Sequence, residues 1–218
     1  MDRIMIEAGS TGPEAVRTPP RKTDLPVRLR LATRDQHVAL EAQVDPERRL
    51  RTLDGYLGWL GILLGFHRPL ESVLGGLDWS ETGLDFDQRR RAALLAADLE
   101  DLGMDPDSVP DCRDLPPVDG LARAFGALYV LEGSTLGGQV VVRQYGELFG
   151  GLGGRAMRYY TSYGANIGRQ WRAFQQALAT ACADQEAEET ACIAAAQETF
   201  DALHAWVARC DAAAPRPV

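Results

Sequence analysis

From Leu25 onward apolar residues recur at intervals of three and four with few runs of strict alternation, the spacing that gathers them on one side of a helix. The pattern predicts an all-α fold. A first helix is expected over 26–44, with Asp24 as N-cap, Pro26 in its first turn and Asp45-Pro46 as its stop. A second begins near Thr52 and carries Tyr56, Trp59, Leu60, Leu63, Leu64, His67 and Leu70, with a kink expected at Pro69 and a stop at Gly75-Gly76. It is too apolar for a surface helix. A third, over 87–102, sets Leu94, Leu95, Leu99 and Leu102 on one side and a charged, wet side opposite, with Gly103 as C-cap. Residues 104–118 hold four prolines and no periodicity and read as a crossing loop. A long tract over 119–149 follows, a glycine cluster at 150–154 breaks the chain, and two further helices are expected over 155–182 and 186–211.

The chain has 218 residues, 45% of them hydrophobic and 25% charged, the balance of one ordinary globular domain. We expect a flexible tail over 1–24, one domain over 25–212 and a frayed end over 213–218. The 23 Lys plus Arg against 31 Asp plus Glu give a net charge of -8, which repels a phosphate backbone and argues against nucleic acid as partner. Cys112, Cys182, Cys192 and Cys210 form no CxxC pair and no zinc or haem-attachment spacing, so they read as reduced thiols. Residues 1–24 lack the apolar run of a secretory signal, and the most apolar stretch, 56–66, is half the length of a membrane span. A cytoplasmic protein without a membrane partner is the expectation.

Two features carry candidate chemistry. Gly126, Gly133, Gly137 and Gly138 interrupt a strongly apolar helical pattern, each costing about 1 kcal/mol relative to alanine. The first three share a face and strip it of side chains. Close helix packing would select such residues, and so would a flat ligand against the backbone or a bend, which the doublet Gly137-Gly138 favours. In the first helix Arg30, Arg34, His37 and Glu41 fall in one stripe. A solvated charged face would look like this. So would a metal-ligating His37 whose other ring nitrogen is held by Glu41, beside arginines that receive anionic groups. One imidazole under-coordinates a bare divalent ion but satisfies a haem iron, whose macrocycle brings four nitrogens. A flat ligand with two carboxylates would use both features together. His67 and His204, set among Leu, Phe and Trp, read as packed core or interface histidines.

At these residues the chain resembles the haem oxygenases, in particular the bacterial branch that supplies biliverdin to bacteriophytochromes. Leu29-Arg-x-x-Thr-x-x-x-His37-x-x-x-Glu41 is similar to their proximal-helix motif and Leu128-Tyr-Val-Leu-Glu-Gly-Ser-Thr-Leu-Gly-Gly-Gln139 to their distal-helix motif. A third, weaker likeness covers Tyr159-Tyr-Thr-Ser-Tyr-Gly164 and Trp171-Arg-Ala-Phe174. The resemblance implies a single-domain helical bundle with haem b sandwiched between a proximal and a kinked distal helix. It makes His37 the axial iron ligand and Glu41 its partner, lets Gly133 and Gly137 bring the distal helix over the iron, and sets Arg30 and Arg34 at the propionates. Tyr160 and Tyr163 are candidates for the same edge and Phe200 for a pocket wall. Where many members carry an Asp after the first distal glycine this chain has Ser134, which can bond a water but supplies no carboxylate. The implied reaction uses O2 and electrons from a ferredoxin or another reductase to open haem, as an expectation at the alpha-meso carbon, to biliverdin, carbon monoxide and ferrous iron. The bilin would pass to a bacteriophytochrome. No side chain need act as nucleophile. A haem carrier or sensor is the non-enzymatic alternative. A thiaminase-like hydrolase is disfavoured because no cysteine lies in either motif, and a ferritin-like di-iron protein because paired Glu-x-x-His motifs are missing. A pure interaction protein would not need His37 and the arginines aligned.

Overall fold

A computed structural model describes residues 25–149, 156–182 and 185–213. The expected tail over 1–24 with its Asp24 cap, the break at 150–154 and the chain end beyond 213 lie outside the described residues. Within them the chain is helical with no strand.

The first expected helix is two, α1 (Leu25–Ala32) and α2 (Arg34–Val44), interrupted at Thr33. Thr33 has φ -102° and ψ 4°, and its hydroxyl donates to the Leu29 carbonyl at 2.8 Å, a local bond that competes with helical geometry. The backbone bonds from Thr33 N to Leu29 O and from His37 N to Thr33 O survive, so the interruption re-aims the helix without ending it. Asp45 ends α2 as expected, in the left-handed region at φ 43°, and its side chain accepts from Arg48 N to cap the short α3 (Pro46–Arg49). Thr52 caps α4 (Leu53–Gly75) by accepting from Gly55 N at 3.1 Å. Tyr56, Leu60, Leu64, Phe66, Leu70 and Leu74 of this helix are fully buried, and Pro69 is accommodated inside it.

The third expected helix begins later, as α5 (Ala92–Asp101), after a 3₁₀ turn at Asp87–Arg89; Gly103 follows it with φ +83°. Its second side is not uniformly wet, because Asp98 is fully buried. The proline-rich stretch is strapped to α4 by Arg68, which donates to the carbonyls of Pro106 and Val109 and to Asp111. The long tract is one helix, α6 (Leu121–Phe149), unbroken at Gly126, Gly133, Gly137 and Gly138. The helix expected over 155–182 is in fact α7 (Arg158–Thr161), a 3₁₀ turn at Gly164–Asn166 and α8 (Ile167–Ala181), because Gly164 turns the chain at φ +48°. The last, α9 (Glu186–Ala213), runs two residues further than expected and packs along α6 and along α2.

Candidate functional site

His37 is exposed on α2, its Nδ1 3.5 Å from Glu41 Oε2 one turn on. Phe200 of α9 meets the imidazole edge-on, with ring centroids 5.8 Å apart. Glu41 therefore faces the Nδ1 edge of the ring and Phe200 one side of it. Arg30 and Arg34 are exposed on the same stretch of α1 and α2.

On α6 the glycines separate by function. A Cβ on Gly126 would stand 2.2 Å from the Cys192 carbonyl and 2.9 Å from the Ala195 side chain, so here the absent side chain serves contact with α9. One turn on, Tyr129 faces Thr33 and Arg30, which oppose the rise that burial gives its phenol. Next along the same face comes Gly133, where an added Cβ would meet nothing within 4 Å. The face is closed at Gly126 and open at Gly133, with Ser134 exposed beside the opening. Gly138 points about 140° away at 100° per residue, and its Cβ would stand 2.8 Å from the Tyr160 ring. What surrounds Gly137 lies outside the described residues.

Behind α6 the packing is unexpectedly polar. Arg89 and Glu132 form a buried ion pair at 2.7 Å, and Tyr163 donates to the same carboxylate at 2.7 Å. Burial still pushes the Glu132 carboxyl above its ordinary value, against the lowering effect of Arg89. Arg91 is buried with its guanidinium 4.1 Å from the centre of the Tyr163 ring, and its Nε and one Nη have no hydrogen-bond partner. Tyr159 Oη lies 3.0 Å from Ser134 Oγ and 3.4 Å from His67 Nε2, and His67 Nδ1 lies 3.1 Å from Glu71 Oε1.

The structure thus brings His37, Glu41 and Phe200 together, with the arginines alongside. It places Tyr160 differently from the expectation: the residue is in the core, its hydroxyl accepting from Trp59 at 2.8 Å. The Tyr163 hydroxyl is likewise engaged by Glu132, because this face of α6 offers a buried carboxylate. His67 is a core histidine as expected, whereas His204 is exposed on α9. Glu71, Arg89, Arg91, Glu132 and Tyr159 were not expected as polar core residues. Only the i, i+4 spacing of His67 and Glu71 gave a signal for any of them.

These donors suit a metal that arrives with its own equatorial ligands. They offer one outward imidazole nitrogen backed by a carboxylate, and a helix whose open face at Gly133 exposes bare backbone. Among the described residues no three His, Cys, Asp or Glu side chains stand together as a site for a bare ion.

The sequence profile of the "Heme oxygenase" family matches residues 23–209. A curated protein named "Heme oxygenase" from Xanthomonas campestris pv. campestris (strain 8004) is 35% identical over 159 residues, spanning 72% of this chain and 86% of that one. The crystal structure of the NO- and CO-bound heme oxygenase from Neisseria meningitidis matches the fold with a TM-score of 0.71 at 22% identity. That match covers 85% of this chain and 91% of the other.

Proposed function

Since the chain belongs to the haem oxygenase family, an oxidoreductase family that degrades haem, we propose that His37 is the axial ligand through which this protein holds haem b. The observation that carries the reading is the outward imidazole of His37, backed by Glu41 and flanked by Phe200. Bound there, haem supplies both the iron that activates O2 and the macrocycle that is opened.

The chain's own residues then have distinct tasks. Glu41 fixes the His37 tautomer and ring orientation. Arg30 and Arg34, free to extend from an exposed stripe, receive the propionates and so set the rotation of the ring in its site. Gly133 and Gly137 keep side chains out of the space above the iron, while Ser134 offers a hydroxyl to water at that edge. Phe200 closes one wall. The products are biliverdin, carbon monoxide and ferrous iron, with opening at the alpha-meso carbon. Electrons come from a ferredoxin or another reductase, and the bilin goes to a bacteriophytochrome in the cytoplasm. No helix among the described residues is long and apolar enough to cross a membrane.

The test is a hemin titration followed by reduction in air with ascorbate or a ferredoxin system, recording the visible spectrum and separating the bilin isomers. A Soret band that gives way to a broad red band with the alpha isomer is expected. His37→Ala should lose the axial-ligand spectrum and at least tenfold in turnover, as removal of a sole protein ligand to the metal requires. Haem that binds and survives reduction in air would make the protein a carrier or sensor.

A further inference from the structure

Of the eleven residues of α2 only Val44 is buried, so apolar packing does little to hold the helix that carries His37. Polar contacts with α9 take its place. At the interruption between α1 and α2, Gln197 Nε2 donates to the Ala32 carbonyl at 2.9 Å. Three residues further along α9, Phe200 meets the His37 ring. Next comes the side-chain amide of Gln43, oriented so that donors meet acceptors. It donates to the His204 carbonyl at 3.2 Å and to His204 Nε2 at 2.9 Å, and accepts from Ala208 N at 2.9 Å. At the far end Arg49, lying over the Trp59 ring, donates from Nε to the Val44 carbonyl at 3.0 Å and from both Nη atoms to Asp211 at 2.9 and 2.8 Å. Residues 197, 200, 204, 208 and 211 succeed one another at steps of three and four, a single stripe of α9. Gln197, Gln43 and Arg49 each reach main chain, so they fix helices rather than side chains.

We propose that Gln197 and Gln43 are positioning residues which, with Arg49, hold α2 on α9 and so set the His37 imidazole in a fixed place relative to the open face of α6 at Gly133. α9 can serve as the common reference because it is also seated closely on α6, where a Cβ added to Gly126 would stand 2.2 Å from the Cys192 carbonyl. Both helices that face the proposed haem are thus referred to one rail. α6 meets it through main chain at Gly126, and α2 through amide and guanidinium groups. Glutamine suits the task, because its planar amide offers a donor and an acceptor at one end. Gln43 can therefore satisfy both members of an i, i+4 backbone pair on α9, with no charge to desolvate. The placement of α2 does not depend on what binds there, whereas its consequence for haem rests on the functional reading above. A metal site needs its ligands held to within about 0.5 Å, so loosening either glutamine weakens the hold on haem without touching an atom that meets it. Both side chains belong to half-buried residues, and their loss costs the fold little.

The test uses Gln43→Leu, Gln197→Leu and the double variant of the full chain. The sequence has three histidines, His37, His67 and His204, so the ring protons of the haem-free protein are assignable by NMR, with His37→Ala removing the relevant signals. They read the ring-current shift that Phe200 imposes on His37. That shift should shrink in the double variant, and by less in each single one, while the helical circular dichroism stays as it was. A full His37 shift in the double variant would overturn the proposal. Loss of the shift only together with the helical signal would overturn it too, since the glutamines would then be general struts. If the double variant does not fold, the single variants give the same reading. Loaded with hemin, the variants should release it to excess apomyoglobin about tenfold faster and shift or broaden the iron–histidine stretching band of the ferrous protein. Gln197→Lys, whose ammonium can still donate to the Ala32 carbonyl, should recover most of both readouts. A lysine no better than leucine would refute the role of that bond. Hemin that the unsubstituted protein does not ligate through His37 would refute the functional reading instead, and the haem-free shifts would still decide the placement of α2.

Discussion

Gly126 and Gly133 lie seven residues apart on one face of α6, and they are glycine for opposite reasons. A methyl at Gly126 runs into the Cys192 carbonyl, which belongs to backbone and cannot swing aside. Gly126→Ala should therefore separate α6 from α9 and lower stability by about 1–3 kcal/mol in urea unfolding. Gly133→Ala meets nothing within 4 Å and removes a helix-interior glycine, so the haem-free protein should gain up to about 1 kcal/mol while the methyl intrudes on the side proposed for haem. Equal losses from both substitutions would contradict the division. Spacing alone put both residues on one helix face and could not say which neighbour each served, because that depends on where α9 lies. The charged stripe was more legible, since an i, i+4 pair such as His37 and Glu41 is set by the helix itself.

Among the elements, α7 shows how a four-residue helix holds a fixed place. Its first two backbone N–H groups, those of Arg158 and Tyr159, donate to the fully buried Asp98 of α5 at 3.0 and 2.9 Å, and the Arg158 side chain joins at 3.3 Å. Burial raises the Asp98 carboxyl above its ordinary value, outweighing these bonds and the Arg158 charge. Asp98→Ala should cost about 3 kcal/mol by leaving the helix donors without their acceptor. It should also broaden the Tyr159 ring signals in NMR, since Tyr159 loses its backbone anchor; sharp, unshifted signals would disprove that role. Periodicity located α4, α6 and α9 closely because each buries a long apolar face. It merged α7 with α8 because Tyr159, Tyr160 and Phe174 fit a helical spacing across a turn that only the positive φ of Gly164 reveals.

Over the whole molecule, phenols are concentrated in the polar core between α4, α6 and α7, and this governs behaviour in alkali. Of the six tyrosines, burial raises Tyr56, Tyr129, Tyr159, Tyr160 and Tyr163 above their ordinary value, with Arg30 and Thr33 opposing it at Tyr129 and Arg91 at Tyr159 and Tyr163. A phenol whose native value exceeds its unfolded one contributes stability that is full below about pH 10 and is lost as pH climbs through the native value. In that window the unfolded chain releases protons that the folded one retains. The three fully buried phenols, Tyr56, Tyr159 and Tyr160, together remove about 4 kcal/mol per pH unit. A domain stable by about 5–15 kcal/mol cannot hold against that slope for long. The 295 nm absorbance of phenolate should therefore rise mainly in one cooperative step, coincident with loss of the helical circular dichroism signal, rather than residue by residue. Tyr160→Phe removes one of the three phenols and should move that step to higher pH relative to the stability of the variant at neutral pH. Gradual ionisation of all six tyrosines near pH 10 with the helices intact would show that the phenols behind α6 are open to water.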